Sequence, residues 1–309
     1  MRLAFDARAV DGGSGIGRYT SCLLAALHET RGDSEIVESH RARHAHVFHS
    51  PWIDGALLRP PIPQVVTLHD VVPLKRRSEY LRTGIRFRLR YLAVERSTRL
   101  IVPTAFVADE TVEHLGFPRE RIVVVPEAAA PSFAPRDAGE VAAARERHGL
   151  PADYLLWVGG LQTPDPRKRV AALARVPREL ALVLVGPTKP WAHELPGVIL
   201  TGRVSDDDLA AIYSGARALV FPSDDEGFGL PPVEALACGT PVVVSDLPVL
   251  REVLGDRATF VAADDLEGLL AAAAAATRPA PAPSRWTWQD AARATWEVYE
   301  DARSHNSSS

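Results

Sequence analysis

Phe221-Pro-Ser-Asp-Asp-Glu-Gly-Phe-Gly-Leu-Pro-Pro-Val-Glu-Ala-Leu-Ala-Cys-Gly-Thr-Pro-Val-Val-Val-Ser-Asp246 is the stretch on which the fold turns. It reads as strand, loop, helix and strand. The apolar run 218–221 stops at Pro222, and the acids and glycines of 224–229 have the composition of a tight loop. Pro231 and Pro232 suit a first helical turn, where a missing N–H costs nothing. Gly239 suits the residue just past the helix end, and 241–245 returns as a buried strand. A helix that starts directly behind Gly-Phe-Gly turns unpaired backbone N–H groups towards an anion, and the glycines let a ligand approach the main chain.

Two carboxylates bracket this anion site, Glu226 on the loop and Glu234 in the first helical turn, with seven residues between them. An acid beside a phosphate repels it, so the pair fits better as acceptors from neutral hydroxyls on either side of a diphosphate. A nucleotide sugar has that layout. Taken singly, each acid has an ordinary reading: Glu234 complements the helix dipole and Glu226 is a solvated loop acid. The two together, with glycines between them, point to function.

The segment Glu226-Gly-Phe-Gly-Leu-Pro-Pro-Val-Glu234, followed by Ala-Cys-Gly-Thr-Pro-Val-Val, resembles the Glu-x7-Glu signature of retaining glycosyltransferases of family 4. The resemblance implies the GT-B fold: α/β, with two Rossmann-like domains facing across a cleft and a C-terminal helix crossing back to the first. It also implies that Glu226 holds hydroxyls of the donor sugar and Glu234 those of the ribose. The main chain of Gly227, Phe228, Gly229 and Leu230 then meets the sugar or the diphosphate.

Length and composition are compatible with this. A chain of 309 residues is long enough for about two domains. Its 46% hydrophobic and 24% charged residues are ordinary for a globular protein, and a net charge of −4 gives no argument for nucleic acid. Cys22 and Cys238 imply no disulfide framework, and Cys238 reads as a small core residue. The chain opens on a short strand rather than a leader, and no run reaches the roughly 18 to 20 apolar residues that span a bilayer. A cytoplasmic location, with peripheral contact at the inner membrane face as a variant, is the expectation.

From the amino terminus, 2–6 reads as a buried strand, 7–17 as a loop with glycines at 12, 13, 15 and 17, and 18–29 as a helix with Tyr19, Leu23, Leu24 and Leu27 on one face. Strand, glycine loop and helix again bring N–H groups to the carboxyl end of a strand. Asp6-Ala-Arg8 with Gly15-Ile-Gly17-Arg18-Tyr19 resembles the opening of mannosyltransferase-like members of family 4, in which this loop faces the donor. Between 31 and 46 there is no room for a strand, a helix and a second strand, so the first domain looks trimmed. His40, His44, His46 and His49 invite a zinc reading, but strand alternation separates them and no acid or cysteine completes the set. No metal is assigned.

The strand 64–68 ends in His69-Asp70, where parallel folds carry chemistry. The plain alternative is a satisfied histidine closing the strand. The resemblance implies a histidine against the donor sugar near the reacting carbon. Asp70 then either orients His69 or approaches the acceptor hydroxyl. Residues 75–99 are basic, with Phe87, Tyr91 and Val94 near one helical face; the segment suits either an anionic lipid surface or a solvated basic face over a packed stripe. Further on, Glu127-Ala128 stands where relatives commonly carry an Asn-Gly turn.

In the second half, 154–158 is a strand, followed by Gly159-Gly160 and then by Arg167-Lys168-Arg169 before a helix over 170–176. Cations at a helix start oppose its dipole, which makes sense opposite a diphosphate. The family has an Arg-Lys pair here for the donor phosphates. The plain alternative is surface charge. Arg203 and Val204 are implied by resemblance to bring main chain to the nucleobase. Asp206-x-Asp208 reads as a helix start capped by Ser205.

The expected organisation is an acceptor-side domain over 1–150, a nucleotide-sugar domain over 151–285, a crossover helix over 286–303 and a disordered tail over 304–309. The expected function is retaining, metal-independent transfer of a hexose from a GDP- or UDP-sugar to a hydroxyl acceptor, with no cofactor. His69, Asp70, Arg167, Lys168 and Glu226 carry the chemistry. Gly15, Gly17, Arg167, Lys168, Arg203, Val204, Glu226 to Leu230 and Glu234 bind the donor. Two rivals stand beside it: a sugar-nucleotide epimerase on the same fold, which needs no acceptor, and a non-catalytic nucleotide-sugar-binding protein.

Overall fold

A computed structural model describes residues 1–10, 15–76 and 84–306. The chain forms two units, one of Met1–Ala128 with Trp286–Ser309 and one of Ala129–Arg285. In the first unit the strands are β1 (Arg2–Phe5), β2 (Glu35–Glu38), β3 (Val47–Ser50), β4 (Gln64–Thr67), β5 (Arg99–Val102) and β6 (Ile122–Val124). All pair in parallel, in the spatial order β2-β1-β3-β4-β5-β6. The helices are α1 (Gly15–Thr30), α2 (Val72–Lys75), α3 (Gly84–Glu95) and α4 (Ala105–Leu115). No helix joins β2 to β3, as the short interval between them requires.

Neighbouring strand residues serve opposite faces of this sheet, as the two-residue period demands. Val65 and Ile101 pack on one side with Leu23 and Leu27, while Val66 and Leu100 pack on the other with Tyr91, Val94 and Val107. Both faces are covered, which is why the strands read as continuous apolar runs. Thr104 caps α4 by accepting from the Val107 N–H at 3.1 Å, and Gly116 closes it in the left-handed region.

The second unit has β7 (Tyr154–Val158), β8 (Ala181–Val185), β9 (Val198–Gly202), β10 (Ala218–Phe221), β11 (Val242–Ser245) and β12 (Thr259–Val261). Its helices are α5 (Ala138–His148), α6 (Val170–Leu173), α7 (Asp206–Gly215), α8 (Leu230–Ala237), α9 (Pro248–Leu254) and α10 (Leu266–Ala274). The parallel order is β12-β11-β10-β7-β8-β9. Chain progression therefore runs outward from β7 in one direction and from β10 in the other. The carboxyl ends of β7 and β10 flank the switch point, where ligands bind in such sheets.

The remaining helix, α11 (Trp288–Asn306), belongs to the first unit, where Trp288, Ala291, Ala292, Val298, Tyr299 and Ala302 join Leu23 and Leu27 in the core. Three expectations are corrected. The division falls at residue 128 rather than 150, because α5 is fastened to the second unit by Arg145 Nη2 on the Gly215 carbonyl at 2.9 Å and by Arg147 on Asp208 at 2.8 Å. The last helix continues to Asn306 instead of giving way to a tail at 304, and Ser304 Oγ donates back to the Glu300 carbonyl at 2.9 Å. Helix α1 starts at Gly15, three residues earlier than the apolar period suggests.

Candidate functional site

On one side of the second unit's switch point, β10 runs into a buried Ser223, whose hydroxyl donates to Glu226 Oε1 at 2.8 Å. Gly227, Phe228, Gly229 and Leu230 are all buried, with Gly229 at φ +93°, a backbone state that L side chains rarely adopt. Helix α8 begins there without a side-chain cap. Pro231 and Pro232 remove two of the four N–H groups that a helix start normally presents. The donors left at this end are those of Gly229 and Leu230. The helix terminus therefore offers an anion two N–H groups, not the full set of four.

Glu234 lies one turn in, 3% exposed, and the Tyr213 hydroxyl of α7 donates to its Oε2 at 3.0 Å. The Cys238 thiol behind it is pushed up to about 12, by burial first and by the Glu234 charge second. It is an inert core thiol, as its sequence position suggests.

On the other side, β7 is followed by Gly159, which donates to the Val185 carbonyl at 2.9 Å. The following loop reaches a single 3-10 turn, Pro166–Lys168. Asp165 accepts from the Arg167 N–H at 3.2 Å and from its Nε at 3.0 Å, so the guanidinium carries its own counter-charge. Lys168 Nζ stands 6.0 Å from the centre of the Trp157 ring. The Asp224 N–H donates to the Arg167 carbonyl at 2.8 Å, which stitches the cationic turn to the loop that bears Glu226. Helix α6 ends at Leu173 rather than 176, shortly before Pro177.

Arg203 and Val204 follow β9 at the edge of the sheet, one strand beyond β8; Arg203 is exposed and Val204 half-buried. Ser205 accepts from the Asp208 N–H at 3.1 Å, and Asp208 pairs with Arg147 at 2.8 Å and His148 at 3.0 Å, so the aspartate run is a helix start.

In the first unit, Gly15 is exposed and Gly17 buried within the opening turn of α1, not in a loop; Gly12 and Gly13 lie outside the described residues. The Tyr19 ring meets His69 edge-on with centroids 4.5 Å apart, and its hydroxyl lies 3.1 Å from Thr67 Oγ1. His69 Nδ1 is 3.0 Å from Glu127 Oε1, and its Nε2 is 2.9 Å from the Pro51 carbonyl. Asp70 accepts from the Val72 N–H at 3.1 Å at the start of α2. The orientation of His69 thus comes from Glu127 and Pro51. His49 is spoken for by Tyr299 at 2.5 Å and Thr67 at 2.9 Å, and His46 accepts from the Arg2 N–H at 2.8 Å. Among the described residues no three histidines, cysteines or acids form a metal-holding group.

The basic segment divides. Arg77 and Arg82 lie outside the described residues; Lys75 pairs with Glu110 and Arg90 with Asp54, both at 2.5 Å. Tyr91 and Val94 face the core, with Phe87 packed against them. Ile85, Leu89 and Leu92, spaced along one face of α3, are exposed by 74%, 44% and 36%. None of the described helices is long and apolar enough to cross a membrane.

Tyr213, Ser223 and Asp165 are candidate-site partners that sequence reading did not pick out, and Glu127 stood out there only as a departure from the Asn-Gly turn. Asp165 carries a local signal, an acid two residues before the N–H it caps. Tyr213 and Ser223 carry none that separates them from packing residues.

Two doubly wound parallel units in one chain, the second with an acid-bearing glycine loop and a cationic turn at its switch point, define the GT-B class of α/β protein. The Anabaena protein Alr3699/HepE, solved in complex with UDP-glucose, has this architecture: it matches with a TM-score of 0.68 at 14% identity, over 100% of this chain and 99% of that one. The sequence matches Glycosyltransferase Family 4 over residues 14–132 and Glycosyl transferases group 1 over residues 152–278. D-inositol 3-phosphate glycosyltransferase of Xylanimonas cellulosilytica is 30% identical over 322 residues, 91% of this chain and 75% of that protein. The serotype-specific mannosyltransferase WbdA of Escherichia coli is 30% identical over 221 residues, 63% of this chain but 27% of the longer relative. The chain belongs to glycosyltransferase family 4.

Proposed function

We propose that this chain transfers a hexose from a nucleotide-diphosphate sugar to a hydroxyl acceptor, with retention at the anomeric carbon and without a metal ion. The observation that carries the reading is the main-chain stitch between Asp224 and Arg167, which holds two cations and Glu226 at one switch point. Family membership supports it, as do relatives named as mannosyltransferases and a structural neighbour solved with UDP-glucose. In this reading the bond from the anomeric carbon to the diphosphate breaks and the acceptor oxygen bonds to that carbon on the same face. The leaving diphosphate takes the acceptor's proton. Lys168 and Arg167 stabilise the charge that develops on the diphosphate, with Lys168 the stronger because Asp165 already faces Arg167. Glu226 holds sugar hydroxyls and Glu234 ribose hydroxyls, while His69 and Asp70 line the sugar side.

Calorimetric titration with UDP-, GDP- and ADP-sugars, with and without EDTA, tests the donor. One nucleotide sugar should bind independently of metal. No binding across the set would overturn the donor reading, binding without turnover would favour a non-catalytic nucleotide-sugar-binding protein, and a changed sugar without acceptor would favour epimerisation. Lys168→Ala should lower the rate of nucleotide release roughly 100-fold, the effect of removing one positioned transition-state donor. An unchanged rate would remove Lys168 from the chemistry.

The exposed apolar line on α3, flanked by the exposed Arg88 and Arg96, supports a further part of the reading, contact with an anionic lipid surface. The protein should co-sediment with phosphatidylglycerol vesicles and not with phosphatidylcholine vesicles, and Ile85→Ser with Leu89→Ser should abolish this. Equal recovery with both lipids would count against it.

A further inference from the structure

His69 and His49 sit one strand apart and are held in opposite states. His49 is fully buried between Tyr299 and Thr67, two hydroxyls that serve a neutral ring, and it is pushed down to about 3 by burial and by the charge of His69. His69 faces different partners. Its Nε2 lies 2.9 Å from the Pro51 carbonyl, an acceptor only, so that nitrogen carries a hydrogen. Its Nδ1 lies 3.0 Å from the carboxylate of Glu127, whose side chain is 4% exposed while that of His69 is 19% exposed.

An ionised carboxylate sealed from water is costly unless a charge and a hydrogen bond meet it, and the ring is the charge at hand. Burial works against a positive His69. Burial is the largest single influence, but the hydrogen bond and charge of Glu127, the Pro51 carbonyl and the Asp70 charge together outweigh it, and the net shift is upward. The other groups packed on the ring are Tyr19 from α1, whose hydroxyl turns to Thr67, and His49 from β3.

We propose that Glu127 is a positioning residue for glycosyl transfer, holding His69 as an imidazolium with both ring nitrogens occupied. A ring in that state has no lone pair with which to take a proton. His69 then acts as a fixed positive edge against an oxygen-rich, anionic donor, and not as a general base. The proposal rests on the donor-side reading of His69 given above. It also assigns a purpose to the departure from the Asn-Gly turn, since an amide at 127 would leave the ring without its counter-charge.

The experiment is a pH titration of ¹⁵N-histidine-labelled protein by NMR, with His69→Asn to assign the resonance and Glu127→Gln as the test. Nucleotide release from UDP-glucose and GDP-mannose is measured over the same pH range. In the wild type the His69 midpoint should lie above the ordinary histidine value near 6.5. Glu127→Gln should lower that midpoint by about one unit or more and move the alkaline limb of kcat down by the same amount, with donor KM within about twofold; a merely structural role would not move the limb. The sign follows from the raised value: the pair's stabilisation is full below about pH 6.5 and is lost as pH rises through the folded midpoint. A wild-type His69 that titrates at or below the ordinary value overturns the proposal, and needs no variant to fold. If the titration behaves as expected but neither nucleotide sugar is bound or cleaved, the pairing stands and the role in transfer falls with the donor reading.

Discussion

Glu234→Ala should weaken nucleotide-sugar binding by roughly ten- to a hundredfold, the range expected for losing hydrogen bonds to a charged group. The acid is only 3% exposed, so a ligand would have to reach it through a small window one turn into α8. The Tyr213 hydroxyl holds it in place by donating to Oε2. Removing it takes away the ligand contact and one partner of the buried Tyr213 hydroxyl, so stability should fall as well, by about 1–3 kcal/mol. Tyr213→Phe separates the two effects. It keeps the carboxylate and removes one of its supports, so it should weaken binding by less than Glu234→Ala. Calorimetry on both variants, beside a denaturant titration of each, checks the ordering. Unchanged affinity in Glu234→Ala would remove this residue from the donor site, whatever happened to stability.

Gly186→Ala should cost about 3 kcal/mol or more and lower the melting temperature by roughly 10 °C. Gly186 has φ +144°, and a Cβ placed on it falls well inside the van der Waals envelope of the Gly159 carbonyl oxygen. That neighbour is main chain and cannot rotate away. It is held in turn, because Gly159 donates to Val185 at 2.9 Å and Gly186 donates to Gly202 at 3.0 Å, so the ends of β7, β8 and β9 are locked together. Any relief has to come from moving the loop that leads to Arg167 and Lys168, so donor binding should drop along with stability. Differential scanning calorimetry reads the first effect; a shift below about 2 °C would mean that the close approach is softer than the backbone geometry requires.

Much of this arrangement was legible in the sequence where punctuation was strong. The strand, loop, helix and strand of 218–245 lie where the prolines and glycines put them, and the apolar runs that became β4, β7 and β11 were short, bounded and uninterrupted. Edges were harder. Gly15 and Gly17 look like loop residues by propensity, but they form the first turn of α1, where packing of the Tyr19, Leu23 and Leu27 stripe on the sheet outweighs their entropic cost. The division between units was misplaced because α5 is a good local helix with a capping box, and nothing in its own sequence says which sheet it covers.

The site shows the same split. Glu226, Glu234, Arg167 and Lys168 were readable as residue types at a spacing. Their partners Ser223, Tyr213 and Asp165 emerge only once helices and loops are set side by side. One reading held an internal conflict: Pro231 and Pro232 were good evidence for a helix start and, for the same reason, poor evidence for N–H donors at that start.

The placement of α11 has a consequence for synthesis. The second unit is one uninterrupted segment, Ala129–Arg285, whereas the first draws on both ends of the chain. A ribosome delivers the second unit complete while the first still lacks Trp288, Val298 and Tyr299, and with Tyr299 the hydroxyl that faces His49. Until the last helix emerges, α1 carries its apolar stripe without the helix that covers it. The half of the protein that begins first is therefore the half that finishes last, and in the interval the nascent chain depends on whatever shields Leu23 and Leu27 from other chains.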